Sequence, residues 1–341
     1  MNARSLLSLL FHGEKALDLV QTALDLGVLA QIDAGPVSLE ALCAATGARP
    51  LRMYKFLDGL ESLGLVERLQ PGDSLASASY RAREPLVPAA QAVLGERSIE
   101  RDRDAYPWRE VHGRLADVLR GDRSARFAWP PETPDDVAAF ERSMAAGCPP
   151  IVEAFAAHAP ALFGASRPLR WLDVGGGDGT LAAGVLPALP HVRCDVFNLP
   201  STGPLVARTA CAAGLEGRLG FVGGDFLEEP LPRGYDVVSF ARVLHDWPAA
   251  TARRLVEKAR DALAPGGTVV VCEEFRTTER LAVQFFWTYF LVGVDGCVSR
   301  LREVDWYLAA LESAGFVEPR VLPGAFDVVV ARRGDGSAVS R

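Results

Sequence analysis

The chain is expected to be an α/β protein, with a doubly wound, mainly parallel sheet in its C-terminal half and a mostly helical domain before it. Three observations carry this expectation. From Pro168 onward short apolar runs alternate with helical stretches, the pattern of strands joined by crossover helices. The first of those runs ends in the glycine-rich turn 173–179. Before residue 100, apolar residues recur instead at helical spacing.

With 341 residues, 49% apolar and 23% charged, the chain has the length for two domains and the composition of a globular protein. A net charge of -7 offers no basic field for a phosphate backbone, which argues against nucleic acid as the main partner. The six cysteines are scattered, without a C-x-x-C pair or a neighbouring His at ligand spacing, so they are expected to be reduced thiols and no metal is expected. No apolar run reaches membrane-spanning length, and charge interrupts the N-terminal segment too early for a secretory signal. A cytoplasmic location is the expectation.

Within 14–30, Ala16, Leu17, Val20, Ala23 and Leu24 mark an amphipathic helix that Gly27 closes. Ser38 caps a short helix, a second is expected over 52–68, and the segment 69–82 has the pattern of a small hairpin. Two helices, a tight turn and a hairpin outline a winged-helix-like domain over 1–100. Its second helix carries Arg52 and Lys55 against Asp58, Glu61 and Glu67, so a dimerisation or substrate-lid role is favoured over DNA recognition. Residues 101–165 form connecting helices, including a helical run over 137–162, and a proline-rich loop that presents Trp129 either to packing or to an acceptor pocket. Strands are expected at 169–174, 192–198, 219–226, 235–242 and 268–275 within a domain spanning 166–334, followed by a disordered tail at 335–341.

The turn Asp173-Val174-Gly175-Gly176-Gly177-Asp178-Gly179 lets backbone approach a ligand closely. Its spacing departs from the dinucleotide fingerprint, and the second strand ends in Asn198 where a nicotinamide enzyme places an acid. At the end of the third strand, Asp225 can accept from an adenine amino group while Phe226 covers the base.

Together, DVGGGDG, FNLP, GGDF, RVLHDWP and LAPGG closely resemble the S-adenosylmethionine-dependent small-molecule O-methyltransferases of the plant and bacterial-antibiotic type. The resemblance covers nearly the whole chain. It implies a Rossmann-like domain binding S-adenosylmethionine, a small-molecule hydroxyl acceptor in secondary metabolism, and a homodimer built through the N-terminal domain. By position it implies that Asp173, Gly175 and Gly177 meet the methionine part, Asn198 the ribose, and Asp225 with Phe226 the adenine. Arg242 completes the expected cofactor set. His245 would be the general base, a task that suits an imidazole, and Glu273 would orient it, with Glu274 as the competing choice. Expected acceptor-side residues are Trp129, Met144, Asp246, Phe286, Trp287, Phe290 and Asp295; Phe285 and Tyr289 are assigned to packing.

Three departures from the resembled pattern stand out. Asn198 replaces an acid. The usual basic position before the His is Ala241, with Arg242 expected on the opposite face if the strand continues. The second catalytic Glu falls on Leu301, between Arg300 and Arg302. That loss opens an alternative in which the cofactor is cleaved by its own amino group, releasing methylthioadenosine and a small cyclic amino acid of the azetidine-2-carboxylate type. A ligand-sensing winged-helix regulator is the remote alternative.

Overall fold

The computed structural model describes residues 3–69, 78–96, 98, 115–120, 130–164, 167–276, 301–324 and 326–334. The chain divides into two compact units, Met1–Ala105 and Tyr106–Arg341.

The first unit contains α1 (Ala3–Phe11), α2 (Gly13–Asp25), α3 (Val28–Asp33), β1 (Val37–Ser38), α4 (Leu39–Thr46), α5 (Pro50–Ser62), β2 (Val66–Arg68), β3 (Ser79–Ala82) and α6 (Leu86–Leu94). The Ser38 hydroxyl accepts from the Ala41 amide at 3.1 Å, so the expected cap is present. The helix expected over 52–68 is displaced: it starts at Pro50 and stops at Ser62, Gly64 takes a positive φ, and Val66 begins a strand. Strands β1, β3 and β2 make a small antiparallel sheet, with Val66 opposite Ala82 and Val37 opposite Tyr80. Leu29, Ile32, Leu42, Leu57, Leu60 and Tyr80 fill the core beneath it. Helix α1 buries nothing and exposes Leu7, Leu10 and Phe11.

The second unit opens with α7 (Leu115–Arg120), α8 (Pro134–Ala146), α9 (Pro149–Ala157) and α10 (Ala159–Phe163). The expected run over 137–162 is thus three helices. Gly147 with Pro149 and Pro150 separates the first two, and Pro160 opens a new turn after His158.

The sheet that follows contains β4 (Leu169–Val174), β5 (Val192–Asn198), β6 (Leu219–Gly223), β7 (Tyr235–Ala241), β8 (Leu263–Cys272), β9 (Phe316–Leu322) and β10 (Val328–Arg333), in the spatial order β6-β5-β4-β7-β8-β10-β9. Strands β4 to β8 pair in parallel, and β10 runs antiparallel to both β8 and β9. Helices α11 (Thr180–Val185), α12 (Gly203–Ala212), α13 (Ala249–Ala262) and α14 (Val304–Ser313) accompany these strands. The fold is Rossmann-like, as expected. The antiparallel pair β9 and β10 was not anticipated, and β6 ends at Gly223, leaving Asp225 and Phe226 in the following turn.

The order of strands positions the site. From β4 the chain winds outward through β5 to β6, then returns to place β7 on the other side of β4. Ligands bind such sheets beyond the carboxyl ends of the strands at this reversal. Those ends carry Asp173, Asn198 and Ala241, and the first residue beyond β8 is Glu273.

Candidate active site

The floor of the site is set by the penultimate residue of β4. Asp173 is fully buried, and its Oδ1 accepts a 2.6 Å hydrogen bond from Ser239 on β7, whose oxygen in turn accepts from the Trp171 indole at 2.7 Å. Among the described residues Oδ2 of Asp173 has no partner, and Asp173 lines a cleft. Burial pushes this carboxyl up to about 7, opposed by the Ser239 bond.

Above it the chain turns through Gly175 and Gly177 with φ of 70° and 57°. A Cβ on Gly175 would lie 2.8 Å from Val243, so both the backbone conformation and the space require glycine there. The helix after this turn is short. α11 ends at Val185, and Pro187 falls in the 3-10 turn Leu186–Ala188.

Arg242 corrects a strand-based expectation. Its φ is 56°, which breaks the alternation of β7, so Arg242 and Ala241 both line the cleft. The guanidinium Nη2 donates to the Met144 carbonyl and lies 3.7 Å from the Cys148 sulfur, while its Nε has no partner among the described residues.

The cleft is also lined by Phe140, Glu141, Met144, Asp178, Asn198, Phe226, Asp246 and Trp247. Phe226 meets Trp247 edge to face with ring centres 5.8 Å apart. Asp225 does not line it; its Oδ1 accepts from the Leu227 amide at 2.8 Å in the turn beside Phe226. Lys258 fixes that turn by donating to the carbonyls of Phe226, Leu227 and Glu229 at 2.7, 3.0 and 2.8 Å.

Glu141 was not anticipated. It occupies the inward stripe Val137, Glu141, Met144, Cys148 of α8 and its continuation, an acid where the helical period demands an apolar residue. That mismatch is the signal that could have found it. Burial, with help from Asp178 and opposed by Arg242, pushes its carboxyl up to about 7.

Beyond β7 the chain forms a 3-10 turn over Leu244–Asp246. His245 is 1% exposed. Its Nδ1 donates to Oε2 of Glu273, and its Nε2 lies 3.2 Å from Oδ1 of Asp246. The other oxygen of Glu273 accepts from the amides of Val243 and Leu244 at 3.0 and 2.7 Å. Glu273, and not Glu274, is therefore the partner of His245. Burial alone would lower the imidazole; the carboxylates of Asp246 and Glu273 outweigh it and hold the pKa above its ordinary value.

Arg302 holds the same turn from the other side. Its guanidinium donates to the carbonyls of Leu244, at 2.9 Å, and Trp247, and it sits over the Trp306 ring. Sequence pattern alone did not single it out, because the contact spans 58 residues. Leu301 beside it is buried and apolar, so no carboxylate stands at that position. Trp129, Phe286, Trp287, Phe290 and Asp295, with Phe285 and Tyr289, lie outside the described residues.

The donor set suits a zwitterionic, cationic nucleoside. Among the described residues lining the cleft, buried Asp173 and Glu141 with Asp178 outnumber the guanidinium of Arg242, and Phe226 and Trp247 offer aromatic surface. S-adenosylmethionine has these features: a sulfonium, an ammonium, a carboxylate and an adenine.

Comparison with known proteins agrees. Residues 136–317 match the model of the O-methyltransferase domain. The chain is 32% identical over 324 residues to the N,N-dimethyltransferase OxyT of Streptomyces rimosus, covering 92% of this chain and 90% of that protein. It is 29% identical to the demethylspheroidene O-methyltransferase of Cereibacter sphaeroides, over 88% of this chain and 78% of that one. Among solved structures, the apo form of the S-adenosylmethionine-dependent methyltransferase SibL superposes with a TM-score of 0.67 at 25% identity, covering 97% of this chain and 99% of that one.

Fold and site thus define an S-adenosylmethionine-dependent methyltransferase. The chain belongs to the O-methyltransferase domain family.

Proposed function

We propose that the protein methylates a hydroxyl of a small molecule of secondary metabolism, with His245 as general base and Glu273 as the residue that orients it. The observation that carries this reading is the buried His245–Glu273 pair at the carboxyl ends of β7 and β8, in the turn that also sends Asp246 into the cleft.

When bound, S-adenosylmethionine supplies a methyl group already activated by the sulfonium, so the protein's task is mainly positioning. Gly175 and Gly177 allow close backbone approach to its methionine part, above Asp173. Asn198 would hold the ribose hydroxyls, Phe226 with neighbouring Asp225 would take the adenine, and Arg242 would meet the carboxylate.

His245 accepts the acceptor's hydroxyl proton at Nε2, and for this Asp246 must give up its place at that nitrogen. Glu273 keeps Nδ1–H in hydrogen bond, fixing which nitrogen faces the acceptor and stabilising the imidazolium that forms. Met144 and Asp246, which line the cleft, contribute to the acceptor wall.

In this reading residues 1–100 are a winged-helix-like dimerisation domain, 101–165 are connecting helices and an acceptor lid, 166–334 bind the cofactor and 335–341 are a tail. The uncovered Leu7, Leu10 and Phe11 of α1 support a homodimer. Among the described residues no helix is long and apolar enough to cross a membrane, which accords with a cytoplasmic enzyme.

The test is incubation with S-adenosylmethionine, alone and with a panel of hydroxylated aromatic and polyketide acceptors, followed by mass spectrometry. Intact cofactor without acceptor, and S-adenosylhomocysteine plus a methylated product with one, is expected. Methylthioadenosine accumulating without acceptor, above the spontaneous rate, would overturn the reading in favour of a lyase.

A further inference from the structure

The cleft holds one buried acid that methyl transfer does not require. Glu141 is 6% exposed, comes from α8 and not from the sheet, and makes no hydrogen bond among the described residues. Its Oε2 lies 2.5 Å from where a Cβ on Gly177 would stand. Oδ2 of fully buried Asp173 lies 2.4 Å from the corresponding point on Gly176. Two buried carboxylates from separate elements therefore stand against consecutive glycines of one turn.

A structural role would leave a trace, such as a salt bridge or a helix cap. Glu141 shows neither, and Arg242, the nearby cation, directs its Nη2 to Met144 and Cys148 instead. The unpartnered Oδ2 of Asp173 is an independent sign that something is meant to dock there. Burying carboxyl groups without partners is costly, and a cation arriving from outside relieves that cost. A primary ammonium offers three N–H donors, enough to engage both carboxylates at once.

We infer that Glu141 recognises the α-ammonium of the cofactor's methionine end, sharing it with Asp173. This rests on the S-adenosylmethionine reading and adds to it a residue that selects the ligand by charge. Arg242, whose guanidinium also lies against α8, would meet the carboxylate of the same amino acid.

Isothermal titration calorimetry on the full chain tests this without turnover. The probes are S-adenosylhomocysteine and the S-adenosyl thioether of mercaptobutyrate, which lacks only the α-amino group. Wild type should bind the second roughly tenfold or more weakly. Glu141→Gln should lose a similar factor for S-adenosylhomocysteine while binding the amino-free probe as wild type does. Equal weakening of both ligands by Glu141→Gln, or no weakening of either, overturns the assignment. Wild type that binds neither probe overturns the cofactor reading and the assignment with it. Should Glu141→Gln fail to fold, Glu141→Asp keeps the charge and must retain the preference for S-adenosylhomocysteine; loss of that preference in a folded Glu141→Asp counts against the proposal.

Discussion

Glu273 serves His245 twice: one carboxylate oxygen accepts from the imidazole Nδ1, and the other accepts from the amides of Val243 and Leu244, which lead into the turn that carries the His. Ring orientation and backbone position are thus fixed by one buried side chain.

Glu273→Gln should separate these tasks from cofactor binding. The amide can still accept from the two backbone N–H groups but cannot stabilise the imidazolium, so kcat should fall by about 100-fold or more, within the range for general-base catalysis. Calorimetry should find S-adenosylhomocysteine affinity close to wild type. A matching loss of cofactor affinity would place Glu273 in the cofactor site instead.

Arg302→Met should behave differently. It leaves two carbonyls, Leu244 O and Trp247 O, without their buried partner, at about 1 to 3 kcal/mol each. The thermal midpoint should drop by several degrees, and kcat should fall with little change in cofactor KM. Stability and kcat that both match wild type would show that the turn keeps its shape without the guanidinium.

Lys258→Met tests the adenine side. Removing the ammonium that ties Phe226, Leu227 and Glu229 should raise the KM for S-adenosylmethionine by about 10- to 150-fold, the worth of one charged hydrogen bond, with kcat nearly unchanged. An unchanged KM would mean that the turn is fixed by its own Asp225 and Glu229 contacts.

Stability of the ligand-free enzyme should fall as pH rises. Glu141 and Asp173 titrate in the folded chain at about 7, above the ordinary 4.5 and 3.8. A raised folded pKa means that their contribution is complete below the ordinary value and is lost on rising through about 7. His245 is also raised, so its contribution is complete below 6.5 and declines above it. All three slopes have the same sign. Thermal midpoints measured from about pH 5 to pH 8 should decline, and Glu141→Gln should flatten the part below about pH 7. A midpoint that rises over this range contradicts the assigned burial.

Much of this site was legible in the sequence because it is local. The glycine turn after β4, the His-Asp-Trp segment after β7 and the acid after β8 are each fixed by a few consecutive residues, and the strand pattern aligns their ends. Non-local features were not legible. Arg302 acts across the fold, and Glu141 is visible only as an acid in an apolar helical stripe. Arg242 misled because strand alternation holds only while φ stays negative. The ends of α5 and α11, and the antiparallel β9 and β10, depend on tertiary contacts that outweigh local propensity.

The central claim is that His245 takes the acceptor's proton. Once an acceptor is found, methyl-transfer rates for a series of its analogues graded in hydroxyl acidity, measured for wild type and His245→Ala, test it most directly. The predicted result is a large rate ratio for weakly acidic hydroxyls that shrinks toward unity as the hydroxyl ionises unaided. A ratio that stays constant across the series would contradict a base role for His245 and leave it with positioning alone.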